Sequence, residues 1–164
     1  MKKGILLLLT ALLVFPFSAC ERAIEGDAAL IEKAREEIPL ADIENTEISI
    51  AGTVDTDDLR LVWFVTGDET QEHSYFPLEF EKKDGDRLTF VKTYPAYTFG
   101  RGLAAYPWHG YTFLIDQPKC KSLALRYADG SEEVIAVGKE LPFVFSTAES
   151  LTAYFFLDEN GEEI

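Results

Sequence analysis

The feature that most limits the fold is a series of short apolar runs with a period of two, which occupies the chain after Pro39. The run at 59–66 is almost continuously apolar, which is typical of a strand buried on both faces. Pro77 favours a bent or edge strand around it, and Asp129-Gly130 predicts a tight hairpin. The predicted strands are 46–51, 59–66, 72–82, 87–93, 110–116, 121–128, 132–137, 143–146 and 151–157.

These segments follow one another at intervals of about a dozen residues, and turn residues separate them. They predict a mainly β fold, an antiparallel β-sandwich or barrel of about eight to nine strands preceded by one short α-helix. The helix is predicted at 28–38, with Asp27 as its N-cap and Pro39 as its end. A chain of 164 residues that is 47% hydrophobic buries a core without disulfides, so 27–164 is predicted as a single domain.

The first twenty residues have the organisation of a secretory signal. Two lysines are followed by an uncharged run at 4–17 and by two small residues before Cys20. The segment from Phe17 to Cys20 resembles the lipobox of bacterial prolipoproteins, although that family favours Leu, Val or Ile where this chain has Phe17. The resemblance implies a signal peptide at 1–19, which is cut off, and a diacylglycerol on Cys20.

This resemblance implies a lipid-anchored protein on the extracytoplasmic face of the cell membrane. Residues 20–26 are then a short lipidated tether, and the membrane is a partner through the lipid on Cys20. An ordinary cleaved signal and an uncleaved anchor are the alternatives.

The sequence offers few groups for catalysis. His73 and His109 are the only histidines, and no Gly-x-Ser-x-Gly or Ser-x-x-Lys motif accompanies them. No catalytic residue is therefore predicted. The alternative is a small extracytoplasmic hydrolase that uses His109, or His73 with Ser74.

No cofactor or metal site is predicted either. Cys20, Cys120 and two distant histidines do not supply the ligand set of a zinc site. The acidic runs at 55–58 and 158–161 fit solvated turns better than calcium loops. Cys120 lies between two lysines, and we interpret it as a buried small apolar residue rather than a reactive thiol. A net charge of −14 argues against nucleic-acid binding.

The stretch at 94–113 is the most unusual part of the chain. It holds seven aromatic residues, and the chain contains no acid between Arg87 and Ile115. Because prolines and glycines interrupt it, we predict that its middle is a long loop, and that exposed residues of this loop bind a wall polymer or a surface protein. The predicted binding residues are Tyr97, Arg101, Tyr106, Trp108 and His109. The alternative is that the aromatic residues fold back and cap the core.

These observations predict a membrane-anchored lipoprotein of non-enzymatic binding or interaction type. A purely structural domain within a larger complex is a further alternative, and it would show an exposed apolar patch.

Overall fold

The computed structural model describes residues 23–67, 73–98 and 102–164, in which eleven strands form three antiparallel sheets. Sheet A contains β1 (Ile48–Asp55), β2 (Leu59–Thr66), β3 (Ser74–Lys82) and β4 (Leu88–Thr93) in that order, with the two-residue β5 (Tyr97–Thr98) also beside β3. Sheet B contains β6 (Leu103–Pro107), β7 (Tyr111–Ile115) and β10 (Phe143–Thr147), with β7 in the middle. Sheet C contains β8 (Ser122–Tyr127), β9 (Glu132–Ala136) and β11 (Leu151–Leu157), with β8 in the middle.

The side chains of sheet A alternate between two buried layers. In β2, Val62 and Phe64 pack with the apolar face of the helix α1 (Gly26–Glu37). Leu61 and Trp63 point the other way and pack with Leu114 of sheet B. Both faces of β2 are therefore buried, which confirms the prediction from its almost continuous apolar run.

Sheet B is buried on both faces as well. In β7, Leu114 contacts sheet A, whereas Phe113 and Ile115 pack with Leu123 and Leu125 of sheet C. The layers consequently follow the order α1, sheet A, sheet B and sheet C. None of the three sheets closes on itself in the described part of the chain, so the fold is a sandwich of stacked sheets.

The sequence-based prediction of a mainly β fold with one short helix is confirmed. All nine predicted strands are present. Their ends differ from the prediction by two residues at most, except that β1 ends at Asp55 and not at residue 51, and the predictions missed β5 and β6. The helix begins at Gly26, which places Asp27 in its first turn and not at the N-cap. Ile24 exchanges backbone hydrogen bonds of 2.7 and 2.9 Å with Leu88, so part of the predicted tether is fastened to sheet A.

In the described residues, no helix combines the length and the apolar character that crossing a bilayer requires. Cys20 and the predicted signal peptide at 1–19 lie outside the described residues.

Candidate functional site

Residues 97–98 and 103–107 form strands where the middle of the stretch 94–113 is predicted to be a long loop. Residues 103–107 pair along their whole length with β7, and Pro107 stands at the end of the strand opposite Tyr111. Gly110 occupies the turn with a φ of 109°, and a Cβ there would lie 2.1 Å from the carbonyl oxygen of Thr147. The glycines and the proline that suggest a loop, Gly102, Pro107 and Gly110, therefore lie at or beyond the ends of β6 and do not interrupt it.

Tyr106 and Trp108, predicted to be exposed binding residues, are buried. Tyr106 is 9% exposed and Trp108 is 5% exposed. Alternation along β6 directs Ala104 and Tyr106 into the layer between sheets A and B, and Trp108 follows them there. The predicted exposure of Tyr106 and Trp108 is wrong. The alternative is correct for these two residues, because both belong to the core.

A buried carboxylate explains why Trp108 turns inward. Glu79 of β3 is 5% exposed, and its Oε2 accepts a hydrogen bond of 2.7 Å from the indole Nε1 of Trp108. The phenol of Tyr94 donates to the same oxygen at 2.5 Å. The ammonium of Lys92 lies 3.8 Å from Oε1, over the ring of Tyr94. We call these four residues the Glu79 cluster.

The Glu79 carboxylate remains ionised in this buried position. Burial alone would raise its pKa, but the hydrogen bonds from Tyr94 and Trp108 and the charge of Lys92 outweigh burial and lower the pKa below the usual 4.5. Burial, and after it the contact with the same carboxylate, raises the pKa of Tyr94, so this phenol stays a donor. The cluster joins sheet A to sheet B because Glu79 belongs to β3 and Trp108 follows β6.

Aromatic rings extend this layer along sheet A. Tyr106 contacts the rings of Tyr94 and Tyr97 edge to face, with centroids 5.2 and 5.3 Å apart. Trp63 packs against the same ring at 6.1 Å, and its buried Nε1 has no hydrogen-bond partner among the described residues. Burial, aided by the neighbouring tyrosines, raises the pKa of Tyr106 to about 12. The layer is therefore a packed aromatic core with neutral phenols.

A second polar cluster lies at the other end of the same layer. The phenol of Tyr75 donates a hydrogen bond to Oδ2 of Asp116, and Nδ1 of His73 lies 3.1 Å from that oxygen. Burial and the contact with Asp116 raise the pKa of Tyr75, so its hydroxyl stays protonated. His73 and Asp116 are partly exposed. In this group, which we call the His73 cluster, an imidazole and a carboxylate reach the surface side by side.

The remaining predicted residues are separated. Tyr97 is half-buried against Tyr106, and His109 is exposed in the turn before β7 with a φ of 45°. Arg101 lies outside the described residues. Ser74 stands on the opposite face of β3 from Tyr75, whereas His73 contacts the Tyr75 ring, so alternation separates this serine from His73.

The other residues singled out in the sequence are accounted for by local contacts. Cys120 is buried, and burial raises the pKa of its thiol, which agrees with its interpretation as a small apolar residue. Asp55 binds Arg60 through both carboxylate oxygens at 2.8 and 2.9 Å. Asp158 accepts backbone hydrogen bonds from Asn160 and Glu162. In the described ranges, no three His, Cys, Asp or Glu residues are grouped so that they could hold a metal ion.

Sequence reasoning missed Glu79 and Asp116. Two signals in the sequence point to them. Glu79 is an acid at an inward position of the apolar run 75–80, and Asp116 is the single acid in the otherwise basic stretch 87–127.

No protein-family model, curated protein or solved structure matches this chain.

Proposed function

We propose that this protein is a lipid-anchored, extracytoplasmic binding module without enzymatic activity. The support for the anchor is the charged start, the apolar run at 4–17 and the resemblance of the segment ending at Cys20 to a lipobox. Ile24 is already hydrogen-bonded to Leu88. Four residues span at most about 14 Å, so a lipid on Cys20 would hold this edge of sheet A close to the bilayer.

The observation that carries the binding role is the position of the His73 cluster. Leu88 pairs with Lys82 at one end of β3, and Tyr75 stands near the other end. At about 3.3 Å per residue, the nine residues of β3 separate the two ends by roughly 26 Å. With β3 directed away from the bilayer, an anchor near Leu88 leaves His73 and Asp116 at the remote end of sheet A.

The chemistry of this end suits a hydroxyl-bearing ligand. His73 and Asp116 together offer a partly exposed imidazole and carboxylate, and Tyr97 pairs with Tyr75 beside them. Imidazole and carboxylate groups exchange hydrogen bonds with hydroxyls, and half-buried tyrosine rings offer flat apolar surface to a sugar. A wall polymer is the ligand class we favour, and a surface protein is the other partner that we predict from the sequence.

The anchor is tested by the distribution of the full chain expressed in a bacterium. Wild type is expected in the detergent phase with a lipid mass on Cys20, and Cys20→Ser is expected in the aqueous phase. Cys120→Ala is the matched control, since Cys120 is buried in the core. An unmodified Cys20 in the membrane fraction would overturn the proposed anchor.

The binding role is tested by sedimentation of the protein with isolated cell wall. We expect His73→Gln and Asp116→Asn to lose wall retention and His109→Gln to keep it, because His109 lies in the turn at the far end of β6. Equal retention of wild type, His73→Gln and Asp116→Asn would refute this site. A loss that is confined to His109→Gln would also refute it and would move the site to the turn at 108–110.

One observation favours the hydrolase alternative. A carboxylate that contacts Nδ1 orients an imidazole for proton transfer, and Asp116 stands in this position toward His73. Ester and peptide turnover that disappears in His73→Gln and survives in His109→Gln would establish this alternative in place of the binding role. Turnover that is equal in both variants would exclude His73 as the base.

A further inference from the structure

The strand β9 exposes one complete edge of sheet C. Hydrogen bonds of 2.9 Å from Val137 to Lys121 and from Tyr127 to Ser131 fix the alternation of the β8–β9 ladder. Residues 133 and 135 therefore direct their backbone groups toward β8. The N–H and C=O groups of 132, 134 and 136 point away from the sheet, and no described segment pairs with them.

Four other edge strands, β1, β4, β6 and β11, carry features that limit further pairing. Ile24 covers the start of β4, and the chain returns to pair Glu163 with the end of β11. The ladder of β1 is bulged between Ile50 and Gly52, and Gly52 lies so close to β10 that an added Cβ would come within 2.6 Å of Val144. The strand β6 ends in Pro107. The ladder of β9 has no bulge or proline, so this edge is open for its whole length.

We infer that β9 pairs antiparallel with β9 of a second copy of this chain, about a two-fold axis at Val134. In this register Val134 stands opposite its counterpart, and Glu132 stands opposite Ala136 of the second copy. The outward-pointing backbone groups at 132, 134 and 136 then satisfy one another through six hydrogen bonds. The inference does not depend on the lipid anchor or on the His73 cluster.

The charges along the edge fit this register. Glu132 is neutralised within its own chain by Arg126 at 2.8 Å, and Glu133 accepts a hydrogen bond of 2.5 Å from Tyr127. Both glutamates stand opposite apolar residues of the second copy, so no like charges face each other across the join.

The pairing also brings together exposed apolar side chains on the outer face of sheet C. Val134 is 65% exposed, the highest value among the exposed large apolar residues of the described chain. Ala124 stands beside it in β8, and Phe155 follows in β11. Antiparallel pairing places the two Val134 side chains next to each other and joins the two apolar faces into one strip.

The first test is cross-linking of the full chain in membranes with a short bismaleimide. Val134→Cys is expected to give a covalent dimer, since hydrogen-bonded pairs across an antiparallel join have Cα atoms about 5.5 Å apart. Val91→Cys is the matched control, because Val91 is also an exposed valine on an outer strand and is 45% exposed. Wild type controls for Cys20 and Cys120. Equal cross-linking of the two variants, or none in either, would overturn the inference.

The second test is co-purification of two differently tagged copies. We expect Val134→Lys to weaken association about fivefold or more, since two like charges then meet at the axis, and Val91→Lys to leave it unchanged. Added salt should strengthen the wild-type dimer, because both copies are strongly acidic, with a net charge of −14 over the whole sequence. Wild type that never co-purifies would refute self-pairing, and the edge would then remain for an extended segment of another protein.

Discussion

Truncation of Trp108 tests the buried position of the aromatic stretch most directly. The indole is 5% exposed and packs with Tyr106, Trp63 and Leu114. Removing such a side chain costs about 3–5 kcal/mol of unfolding free energy. The lost hydrogen bond to the Glu79 carboxylate adds about 1.5 kcal/mol or more, while Tyr94 and Lys92 continue to hold the charge. We therefore expect Trp108→Ala to lose about 5 kcal/mol.

Two further variants separate packing from hydrogen bonding. Trp108→Phe keeps an aromatic ring and removes the N–H, so about 1.5–3 kcal/mol of loss is expected, the usual value for a bond to a charged group. The double variant with Glu79→Gln should lose less than the sum of the single variants, because both changes break one contact. His109→Ala is the control, since this neighbouring side chain is exposed and its loss should stay within about 0.5 kcal/mol.

The assay is urea unfolding followed by far-ultraviolet circular dichroism, which does not depend on the removed indole. With a slope of about 1–3 kcal/mol per molar urea, a loss of 5 kcal/mol lowers the midpoint by about 2 M or more. A loss within about 0.5 kcal/mol for Trp108→Ala would refute the buried position and restore the interpretation of 94–113 as an exposed surface.

The lowered pKa of Glu79 makes its contribution to stability full above the ordinary 4.5 and lost as the pH falls through the lowered value. Acid titration of the unfolding free energy should therefore be shallower in Glu79→Gln than in wild type, and equal slopes would contradict the contribution of Glu79. Gly52→Ala should cost about 1–3 kcal/mol because its Cβ would lie 2.6 Å from Val144, and the added change Val144→Ala should restore part of this loss in a thermal melt. Gly110→Ala should cost more than Gly52→Ala in the same melt, since the new Cβ would meet backbone in place of a side chain. The thiol of Cys120 should react with a water-soluble disulfide reagent only on unfolding, and fast labelling of the folded protein would contradict its burial.

The sequence by itself determined nine of the eleven strands and the α-helix. Alternation of apolar and polar residues is a local property of the backbone, so segments such as 59–66 and 151–157 are recognisable without knowledge of their neighbours. The Asp129-Gly130 hairpin is equally local, because a tight turn needs a positive φ and Gly130 supplies it at 86°. The two strands that were not predicted are β5 and β6. Glycine and proline residues near their ends made this part of the chain resemble a loop.

Only the tertiary structure decided which faces of the strands meet. The period of β6 is compatible with an exposed or a buried Tyr106, and sheet A, which buries it, comes from another part of the chain. Trp108 and Asp116 likewise have partners that are distant in the sequence. Glu79 precedes Trp108 by 29 positions, and Asp116 lies 41 positions after Tyr75. Contacts between distant residues depend on how the layers stack, and a residue's local pattern carries no information about the layer that will cover it.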